Sequence, residues 1–323
     1  MSVTFLSAAQ QTELIELRHI SGSDLRPMLW EEAESWREML DWDFTPSADL
    51  VMKFVDLQSL SGYAVLVNGR IAGYSYFLAE DRKGLVGDIY VMKQHRTFSR
   101  ENSLLQAVMD ELVNICAVRR VESQLMMLDS PLSRPMVYEN HMREFRRTFM
   151  VWERDIWGHG GTKTEDLLLF ESWREERQEE AAQMIAHSYR GHIDSQINDQ
   201  YQSIPGARRF VGNIIQYPGC GRFFGPASCV AFRKDTGVPC GLILGSLVSE
   251  GVGHITQICV TPESRGMGIG YELLRRALRE FSEFGCRKVS LTVTSANTSA
   301  IRLYDRMGFR KVLEFAAHVW TGF

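Results

Sequence analysis

The feature of this 323-residue chain that most constrains its fold is an internal repeat. The segment that runs from Ile89–Val91 to Leu104-Leu105 is matched by the segment from Ile258–Val260 to Leu273-Leu274, and the offset is 169 residues at both ends. Self-similarity at a fixed offset means that one structural pattern occurs twice. The sequence therefore predicts two copies of one domain, which agrees with a length above that of most single domains.

The repeat extends upstream into a β-hairpin in each half. In the first half, Ala64–Val67 and Ile71–Phe77 flank the turn Asn68-Gly69, and Asn-Gly between apolar runs is a strong hairpin signal. The counterpart in the second half consists of Cys229–Phe232, a turn at Asp235–Gly237, and Val238–Val248. Each half is thus expected to contain an antiparallel pair of strands.

Downstream of the hairpin, each half continues as strand, turn, helix, strand, helix and strand. Tyr138–Asn140 and Tyr304–Arg306 are each predicted to end the helix before the last strand. A hairpin followed by a β-α-β crossover indicates an α/β fold, with a mixed, mostly antiparallel sheet flanked by helices in each copy. We predict domains at residues 1–160 and 161–323, with the linker in the glycine-rich stretch Gly158–Lys163.

Composition and charge narrow the classes of partner. The net charge is −4 and the pI about 6.1, which gives no electrostatic case for nucleic acid or an anionic membrane surface. The sequence has no run of about eighteen apolar residues, and Met1–Leu17 lacks the pattern of a secretory signal. The six cysteines form no CxxC pair and no zinc spacing. We therefore expect reduced thiols, no metal and a cytoplasmic protein.

A glycine-rich loop in the second half is the best candidate for a binding site. Ile255–Val260 is a short apolar run with β-branched residues, which is typical of a buried strand. Arg265–Gly270 then contains three glycines and precedes apolar residues at helical spacing, from Leu273 to Phe281. Glycines let the backbone approach an anion, and a helix N-terminus adds unpaired N–H groups. The loop predicts a phosphate site, although a tight strand-to-helix turn would need similar residues.

Two familiar nucleotide motifs do not fit this loop. A dinucleotide-binding fingerprint would need glycine where Tyr271 stands, and the phosphate loop of NTPases would need Gly-Lys-Ser/Thr. The loop contains instead the pattern R-x-x-G-x-G, formed by Arg265, Gly268 and Gly270. After one helix and one strand, Asn297 opens a complete N-x-x-A-x-x-L-Y-x-x-x-G-F pattern.

These two segments resemble motif A and motif B of the GNAT acetyltransferases. Their order and spacing make the resemblance specific, and it covers roughly residues 165–323, whereas the first half resembles a diverged second copy. The resemblance implies two tandem GNAT-type domains. It also implies that the second domain transfers an acetyl group from acetyl-CoA to a primary amine of a small molecule or peptide.

In that family the pyrophosphate of acetyl-CoA lies on the motif A loop, and the pantetheine arm pairs with the splayed edge of the preceding strand. A backbone N–H of that strand would polarise the thioester carbonyl. Asn297 would either contact the cofactor or hold the turn before its helix. The cofactor-binding residues implied for this chain are Ile258, Cys259, Val260, Arg265, Gly266, Met267, Gly268, Ile269, Gly270, Tyr271 and Asn297.

Two residues are candidates for proton transfer. Tyr304 matches the tyrosine that protonates the leaving thiolate in this family, although a core tyrosine on a helix would show the same spacing. His254, near the start of the strand, is a candidate general base because histidine titrates near neutral pH, although a surface histidine at a strand end is the simpler interpretation. Gln257 cannot act as a base. Holding the amine close to the thioester would accelerate the reaction even without a base.

The first half has lost the glycines of the loop. At the 169-residue offset, Arg265–Gly270 becomes Arg96–Glu101, in which side chains crowd the backbone N–H groups and Glu101 adds a negative charge. We predict that this copy does not bind CoA in the family's usual way, and that Arg96 and Tyr138 belong to the scaffold. One hypothesis for its retention is that it forms a wall of the acceptor site.

The acceptor is expected beside the helices that precede the second hairpin, within Ala181–Ile215. The polar and aromatic residues of this region are His187, Tyr189, Arg190, His192, Asp194, Asp199, Tyr201 and Arg208. They suit a polar small molecule or a peptide terminus, and they equally suit a solvated helix face. The alternatives to N-acetyl transfer are a non-catalytic CoA-sensing module, transfer of another acyl group or to another acceptor, and a purely structural protein. No motif indicates the oligomeric state.

Overall fold

The computed structural model describes residues 12–129, 132, 134–154 and 163–323. The predicted linker Gly158–Lys163 lies outside these residues except for its last position. The chain forms two compact units. The first unit comprises Met1–Arg37, Phe44–Arg143 and His318–Phe323, and the second comprises Glu38–Asp43 and Glu144–Ala317.

The first unit contains a sheet of five strands in the order β1-β2-β3-β4-β5. Its strands are β1 (Thr12–Glu16), β2 (Ser61–Val67), β3 (Arg70–Glu80), β4 (Lys83–Val91) and β5 (Arg120–Gln124). The helices of this part of the chain are α1 (Gly22–Leu40), α2 (Thr45–Asp56) and α3 (Phe98–Asp110). The ladder between β4 and β5 is parallel, and the ladders from β1 to β4 are antiparallel.

The second unit contains a larger sheet in the order β13-β6-β12-β11-β10-β9-β7, with β8 paired to β10. Its strands are β6 (Met142–Glu153), β7 (Leu168–Ser172), β8 (Arg222–Phe223), β9 (Cys229–Arg233), β10 (Pro239–Ser249), β11 (Val252–Val260), β12 (Lys288–Thr294) and β13 (Arg310–Thr321). The first two residues of β6 and the residues of β13 from His318 onward fall in the first unit. Its helices are α4 (Gln178–Ser188), α5 (Asp194–Ile197), α6 (Ile204–Gln216), α7 (Ile269–Phe284) and α8 (Thr298–Arg306). Only four residue pairs of β11 and β12 form a parallel ladder, so the mixed, mostly antiparallel sheet predicted from the sequence is confirmed.

The compact units differ from the predicted domains 1–160 and 161–323 chiefly in the position of β6. Seven consecutive residues of β6, from Arg147 to Glu153, pair with β12 of the second unit. A strand contributes its backbone hydrogen bonds to the sheet that it joins, so β6 belongs with the second sheet although it precedes the linker. Sequence composition marks the linker and carries no signal for the sheet in which the preceding strand pairs.

The repeat is confirmed at the level of strands. β10 and β11 begin 169 residues after β3 and β4. The turn between β2 and β3 has positive φ at Asn68 and Gly69, as the Asn-Gly signal predicts for a tight hairpin. One expectation is wrong: the predicted helix end at Tyr138–Asn140 is a short 3₁₀ turn over Glu139–His141, entered through a left-handed Tyr138, whereas α8 is a regular helix.

The sheet of the second unit has an apolar core on each face. On one face, α7 buries Leu273, Leu274, Ala277, Leu278 and Phe281, which recur at helical spacing. On the other face, residues of α4 and α6 pack against β9, β10 and β11. This three-layer packing places β11 between α4 and α7.

Candidate active site

The two central strands of the second sheet separate part-way along their length. The ladder between β11 and β12 runs from Val252↔Lys288 to Ile255↔Leu291. β11 continues to Val260 and β12 to Thr294, and these end segments form no ladder with each other, although the structure describes every residue in both. We call the space between the two end segments the strand gap. The splay expected at Ile258–Val260 is therefore present.

A β-bulge at Thr256 sets which side chains flank the gap. Leu244 pairs with Gln257 and Gly245 with Ile255, so Thr256 is an extra residue on β11. The extra residue reverses the alternation of side chains. Beyond it, Gln257 and Cys259 lie on the face of α4 and α6, and Ile258 and Val260 lie on the face of α7.

Backbone groups of β11 point into the strand gap. The Thr261 N–H donates to the Cys240 carbonyl at 3.0 Å, on the β10 side of the strand. Because peptide groups alternate along an antiparallel strand, those of Ile258 and Val260 face the opposite side, toward the gap. The Ile258 carbonyl accepts a hydrogen bond from the Tyr189 hydroxyl at 3.3 Å, which agrees with this orientation. The Cys259 side chain is buried behind the strand, and burial raises its pKa to about 12.

The glycine loop ends in a helix start that has no side-chain cap. Gly266 and Gly268 both have φ of +79°, a left-handed conformation that glycine adopts without strain. Gly268 is the N-cap of α7, and its carbonyl accepts the first bond of the helix from the Glu272 N–H at 3.1 Å. The N–H groups of the first turn have no acceptor within the helix. Among the described residues, no side chain caps these donors, which lie at the positive end of the helix dipole.

The remaining loop residues are anchored into the fold. A Cβ on Gly270 would lie 3.2 Å from Leu303 Cδ2, so this glycine lets α7 approach α8 closely. Ile269 is fully buried, and Met267 and Tyr271 are half-buried against the core on the same face. The Arg265 guanidinium donates to the Ser188 carbonyl at 2.7 Å, at the C-terminus of α4. Arg265 therefore ties the loop to α4 with at least one of its donors.

Asn297 and Tyr304 lie where the second motif predicts. Asn297 caps α8: its side-chain oxygen accepts from the Ala300 N–H at 3.3 Å and from the Ser299 hydroxyl at 3.0 Å. The capping contacts favour a role in holding the turn. Tyr304 is 6% exposed and packs against Phe309, with 5.8 Å between the ring centroids. Burial, and then the charge of Asp194, raise the pKa of Tyr304, so its hydroxyl stays protonated.

The structure places His254 in the core, against the predicted role as general base. Its side chain is 6% exposed and lies between the rings of Trp42 and Phe149, at centroid distances of 5.0 and 6.3 Å. Nδ1 of His254 is 2.9 Å from the Ser290 hydroxyl, on the closed part of the β11–β12 ladder. Burial lowers the pKa of His254 to about 4. His254 is also four residues, about 13 Å along a strand, from Ile258.

A polar cluster lies at the strand gap on the face of α4 and α6. We call it the acceptor-face cluster; its members are Arg147, Tyr189, His192, Asp194, Tyr201, Gln257 and Thr294. The Gln257 amide donates to the Tyr189 hydroxyl at 2.9 Å, and the Tyr189 and Tyr201 rings stack with centroids 4.4 Å apart. Nε2 of His192 is 3.4 Å from the Asn297 amide nitrogen, and Nδ1 is 3.7 Å from Asp194 Oδ2.

The cluster contains only part of the predicted acceptor region. Tyr189, His192, Asp194 and Tyr201 are brought together. His187 instead pairs with Glu263 at 2.8 Å, and Arg208 with Glu179 at 2.6 Å on the surface. The sequence analysis missed Arg147 and Thr294, which face each other in the β6–β12 ladder. Nothing in the sequence indicates that β6 pairs with β12, so residue spacing could not identify these two residues as part of the site.

Other classes of site were expected to be absent. Within the described part of the chain, no group of three or more histidine, cysteine or acidic side chains is placed to hold a metal ion. All six cysteines are free thiols. Among the described helices, none is both long and apolar enough to cross a bilayer.

Comparison with known proteins relates one segment of the chain to a family. Residues 196–309 match the model of the acetyltransferase (GNAT) family, and this segment contains the strand gap, the glycine loop and most of α8. The description of that family names acetyl transfer.

Solved structures extend the similarity of fold to the whole chain. A GNAT acetyltransferase from Sphaerobacter thermophilus aligns with a TM-score of 0.68 at 19% identity, over 95% of each chain. A tandem GNAT protein from the clavulanic acid biosynthesis pathway aligns with a TM-score of 0.58 at 14% identity, over 96% of this chain and 98% of that one. At these identities the likeness concerns the fold alone.

Curated relatives match only over short segments. An N-alpha-acetyltransferase of Arabidopsis thaliana is 40% identical over 57 residues, which is 18% of this chain and 30% of that protein. An uncharacterised N-acetyltransferase of Methanocaldococcus jannaschii is 38% identical over 84 residues, or 26% and 53%. A mycothiol acetyltransferase of Thermobispora bispora is 38% identical over 60 residues, or 19% and 20%. The matches thus span about half or less of each relative's length.

Proposed function

We propose that the second unit transfers the acetyl group of acetyl-CoA to a primary amine of a small molecule or peptide. The observation that carries the proposal is the continuity of β11. The same strand directs the peptide groups of Ile258 and Val260 into the strand gap and leads, through the glycine loop, to the uncapped start of α7. A pantetheine arm and a pyrophosphate need these two kinds of backbone donor, in this order along a strand.

The residues present fit acetyl-CoA. A Cβ on Gly266 would meet no described atom within 4 Å, so the described residues leave space beside the loop where a pyrophosphate would approach. The N–H groups from Gly266 to Tyr271 would hold the pyrophosphate, and the edge of Ile258–Val260 would hold the pantetheine arm. Asn297 would keep α8 in place beside the gap.

Acetyl-CoA, when bound, supplies the acetyl group as a thioester, and transfer forms a C–N bond, breaks the C–S bond and releases a thiol and an amide. The chain's residues handle the charges and protons. A gap-facing N–H of β11 would stabilise the developing oxyanion. Tyr304 would give its proton to the leaving sulfur and regain one from solvent. Tyr304 belongs to the apolar core on the face of α7, against which the gap-flanking Ile258 and Val260 also pack.

The proton of the attacking amine needs an acceptor other than His254. The acceptor-face cluster contains two side chains beside the gap that can take up a proton, His192 and Asp194, and both are largely but not fully buried. We assign the proton to this pair, with water as the final acceptor. A cytoplasmic location, and the absence of nucleic-acid and membrane partners, stay predictions from the sequence.

The test is calorimetric titration of acetyl-CoA into the full chain and into a Gly266→Asn variant. Asparagine tolerates the left-handed conformation, and its side chain would fill the open space beside the loop. Gly237→Asn is the matched control, because Gly237, in the β9–β10 turn, has φ of +67° and a Cβ there would likewise meet no described atom within 4 Å.

We expect the wild type and the control to bind one acetyl-CoA per chain, and Gly266→Asn to bind at least about tenfold more weakly. If Gly266→Asn binds as well as the control, the loop is not the cofactor site. If acetyl-CoA binds but no amine accelerates CoA release, the domain is a CoA-sensing module.

A further inference from the structure

The acceptor-face cluster contains a guanidinium that its protein neighbours satisfy only in part. Arg147 lies on β6 directly opposite Thr294, the last residue of β12, at the open end of the strand gap. Its side chain is 13% exposed. A buried arginine presents five N–H donors, and leaving them unpaired away from water costs free energy.

All hydrogen bonds from the Arg147 side chain to described residues come from one nitrogen, Nη1. Nη1 donates to the Thr294 hydroxyl at 2.9 Å and approaches Asp194 Oδ1 at 3.5 Å. Nε is buried and has no hydrogen-bond partner among the described residues. The remaining donors form the planar edge that binds a carboxylate through two parallel bonds.

Asp194 complements this guanidinium. Its Oδ1 accepts from the Thr294 hydroxyl, and its Oδ2 faces His192 at 3.7 Å. Arg147 and Asp194 therefore form a neutral pair with one cation and one anion beside each other. A ligand with a carboxylate and an amine a few ångströms apart has the complementary arrangement of charges.

We propose that the acceptor is an amine that also bears a carboxylate, such as a free amino acid, and that Arg147 binds the carboxylate. This inference rests on the proposed function. Binding of the carboxylate by Arg147 places the amine on the side of Asp194 and His192, which take its proton before attack. Tyr189 and Tyr201 then form an aromatic wall for the rest of the acceptor, beside the Gln257 amide.

The position of Arg147 relative to the strand gap supports this assignment. Its ladder partner Thr294 ends β12, one of the two strands that flank the gap. Gln257 lies on β11, the other flanking strand, and is 2.9 Å from the Tyr189 hydroxyl and 3.4 Å from the Tyr201 hydroxyl. A carboxylate held by Arg147 would thus lie close to the strand gap and not at a remote surface.

The experiment compares free amino acids with their C-terminal amides and with the corresponding decarboxylated amines, at saturating acetyl-CoA. CoA release is measured with a thiol reagent for the wild type, Arg147→Gln and Arg147→Lys. Arg146→Gln is the matched control, because Arg146 is the exposed neighbour of Arg147 on the same strand. Acetyl-CoA affinity, measured by calorimetry, reports whether each variant keeps the fold of the cofactor site.

For the wild type and the control, we expect kcat/KM for at least one amino acid to exceed that for its amide by about tenfold or more, as for a charge-assisted pair of hydrogen bonds. Arg147→Gln should remove this preference with unchanged acetyl-CoA affinity, and Arg147→Lys should keep only part of it. The loss should appear in KM for the acid and leave KM for the amide unaltered.

Three results would overturn the inference. Amides or decarboxylated amines could be as good as the acids for the wild type. Arg147→Gln could retain the preference. No acid could bind the CoA-loaded wild type by saturation-transfer NMR. In each case acetyl-CoA binding is measured separately, so the proposed function can stand while the acceptor class fails.

Discussion

The two copies of the repeat differ in how the start of the equivalent helix is capped. In the second unit α7 begins at Gly268, which has no side chain to cap the helix. In the first unit α3 begins after Thr97, whose hydroxyl accepts the Arg100 N–H at 3.3 Å. A helix start that satisfies its own donors has no need of an anion, whereas an uncapped one retains donors for a ligand.

The position of the third glycine shows the same contrast. Glu101 of the first unit stands at the repeat position of Gly270, and its side chain is 2% exposed. Its carboxylate accepts from the Asp129 N–H at 3.1 Å and pairs with Arg134 at 2.8 Å. The first copy therefore supplies an internal anion near the start of α3. The first copy has the same strand pattern without the glycines, and its own residues satisfy donors at the start of α3.

The largest expected effect comes from making the second loop resemble the first. The double variant Gly268→Ser and Gly270→Glu introduces a Cβ at a left-handed φ of +79° and 2.9 Å from Thr164 Oγ1, a negative charge, and a second Cβ 3.2 Å from Leu303. We expect acetyl-CoA affinity in calorimetry to fall by about 100-fold or more, since several hydrogen bonds to a charged group are lost.

The reciprocal change in the first unit is the control for that variant. Ser99→Gly with Glu101→Gly should leave the stoichiometry at one acetyl-CoA per chain, because Thr97 still caps α3. A second binding event in the wild type, or undiminished affinity after the graft, would show that the two helix starts are equivalent after all.

The next largest effect should distinguish the two motif tyrosines. Tyr304 follows the second loop, and its counterpart Tyr138 directly precedes a 3₁₀ turn, with its hydroxyl 2.7 Å from Asp110. Tyr304→Phe should lower kcat by about 100-fold and leave the acetyl-CoA affinity unchanged, because a general acid acts only in the chemical step.

Tyr138→Phe, assayed in parallel for CoA release, should keep kcat within a factor of about two. Equal kcat values for the two variants would remove Tyr304 from the proposed mechanism. A raised acetyl-CoA dissociation constant for Tyr304→Phe would instead indicate a role in binding.

The smallest expected effect is on thermal stability, and it concerns a buried carboxyl pair that is present in the first copy. At the repeat position of Gln257, β4 has Asp88, which is buried beside the fully buried Glu32. Burial, and then the charge of Asp88, raise the pKa of Glu32, and burial also raises the pKa of Asp88. A carboxyl with a raised pKa in the folded state stabilises the fold below its unfolded pKa, and this stability is lost as the pH rises through the folded pKa.

Glu32→Gln removes one of these titrating groups and keeps an acceptor for the Tyr74 hydroxyl, which lies 3.0 Å from the Glu32 carboxylate. We expect the melting temperature of the first unit to rise by about 2–4 °C at pH 8, and by less at pH 5. Glu34→Gln, at an exposed carboxyl paired with Arg37, is the control for scanning calorimetry. A larger gain at pH 5 than at pH 8 would contradict the assigned direction of the pKa.

Local signals predicted the features that depend on neighbours in sequence. The Asn68-Gly69 turn, the strand before the glycine loop and the helix after it all follow from backbone preferences within a few residues. The splay at Ile258–Val260 came from the family resemblance. The sequence also identified the contrast between Gly270 and Glu101, because the repeat aligned the two loops.

Features that depend on strand pairing could not be predicted from the sequence. Arg147 joins the acceptor-face cluster only because β6 pairs with β12. His254 was predicted near the start of the strand as a candidate base. In the structure β11 begins two residues before it, and neighbouring side chains enclose the imidazole ring. Such long-range pairings leave no periodic trace in the sequence.

The bulge at Thr256 fixes how this strand tolerates changes in length. The first copy has its bulge at Gly87, the same repeat position, so both strands have the extra residue at the same place. Deletion of Thr256 would turn Gln257 and Cys259 toward α7 and would turn Ile258 and Val260 toward α4. Each side chain would then enter the wrong chemical environment. In a deletion scan of β11, removal of a single residue should abolish activity even at positions where many substitutions have no effect on it.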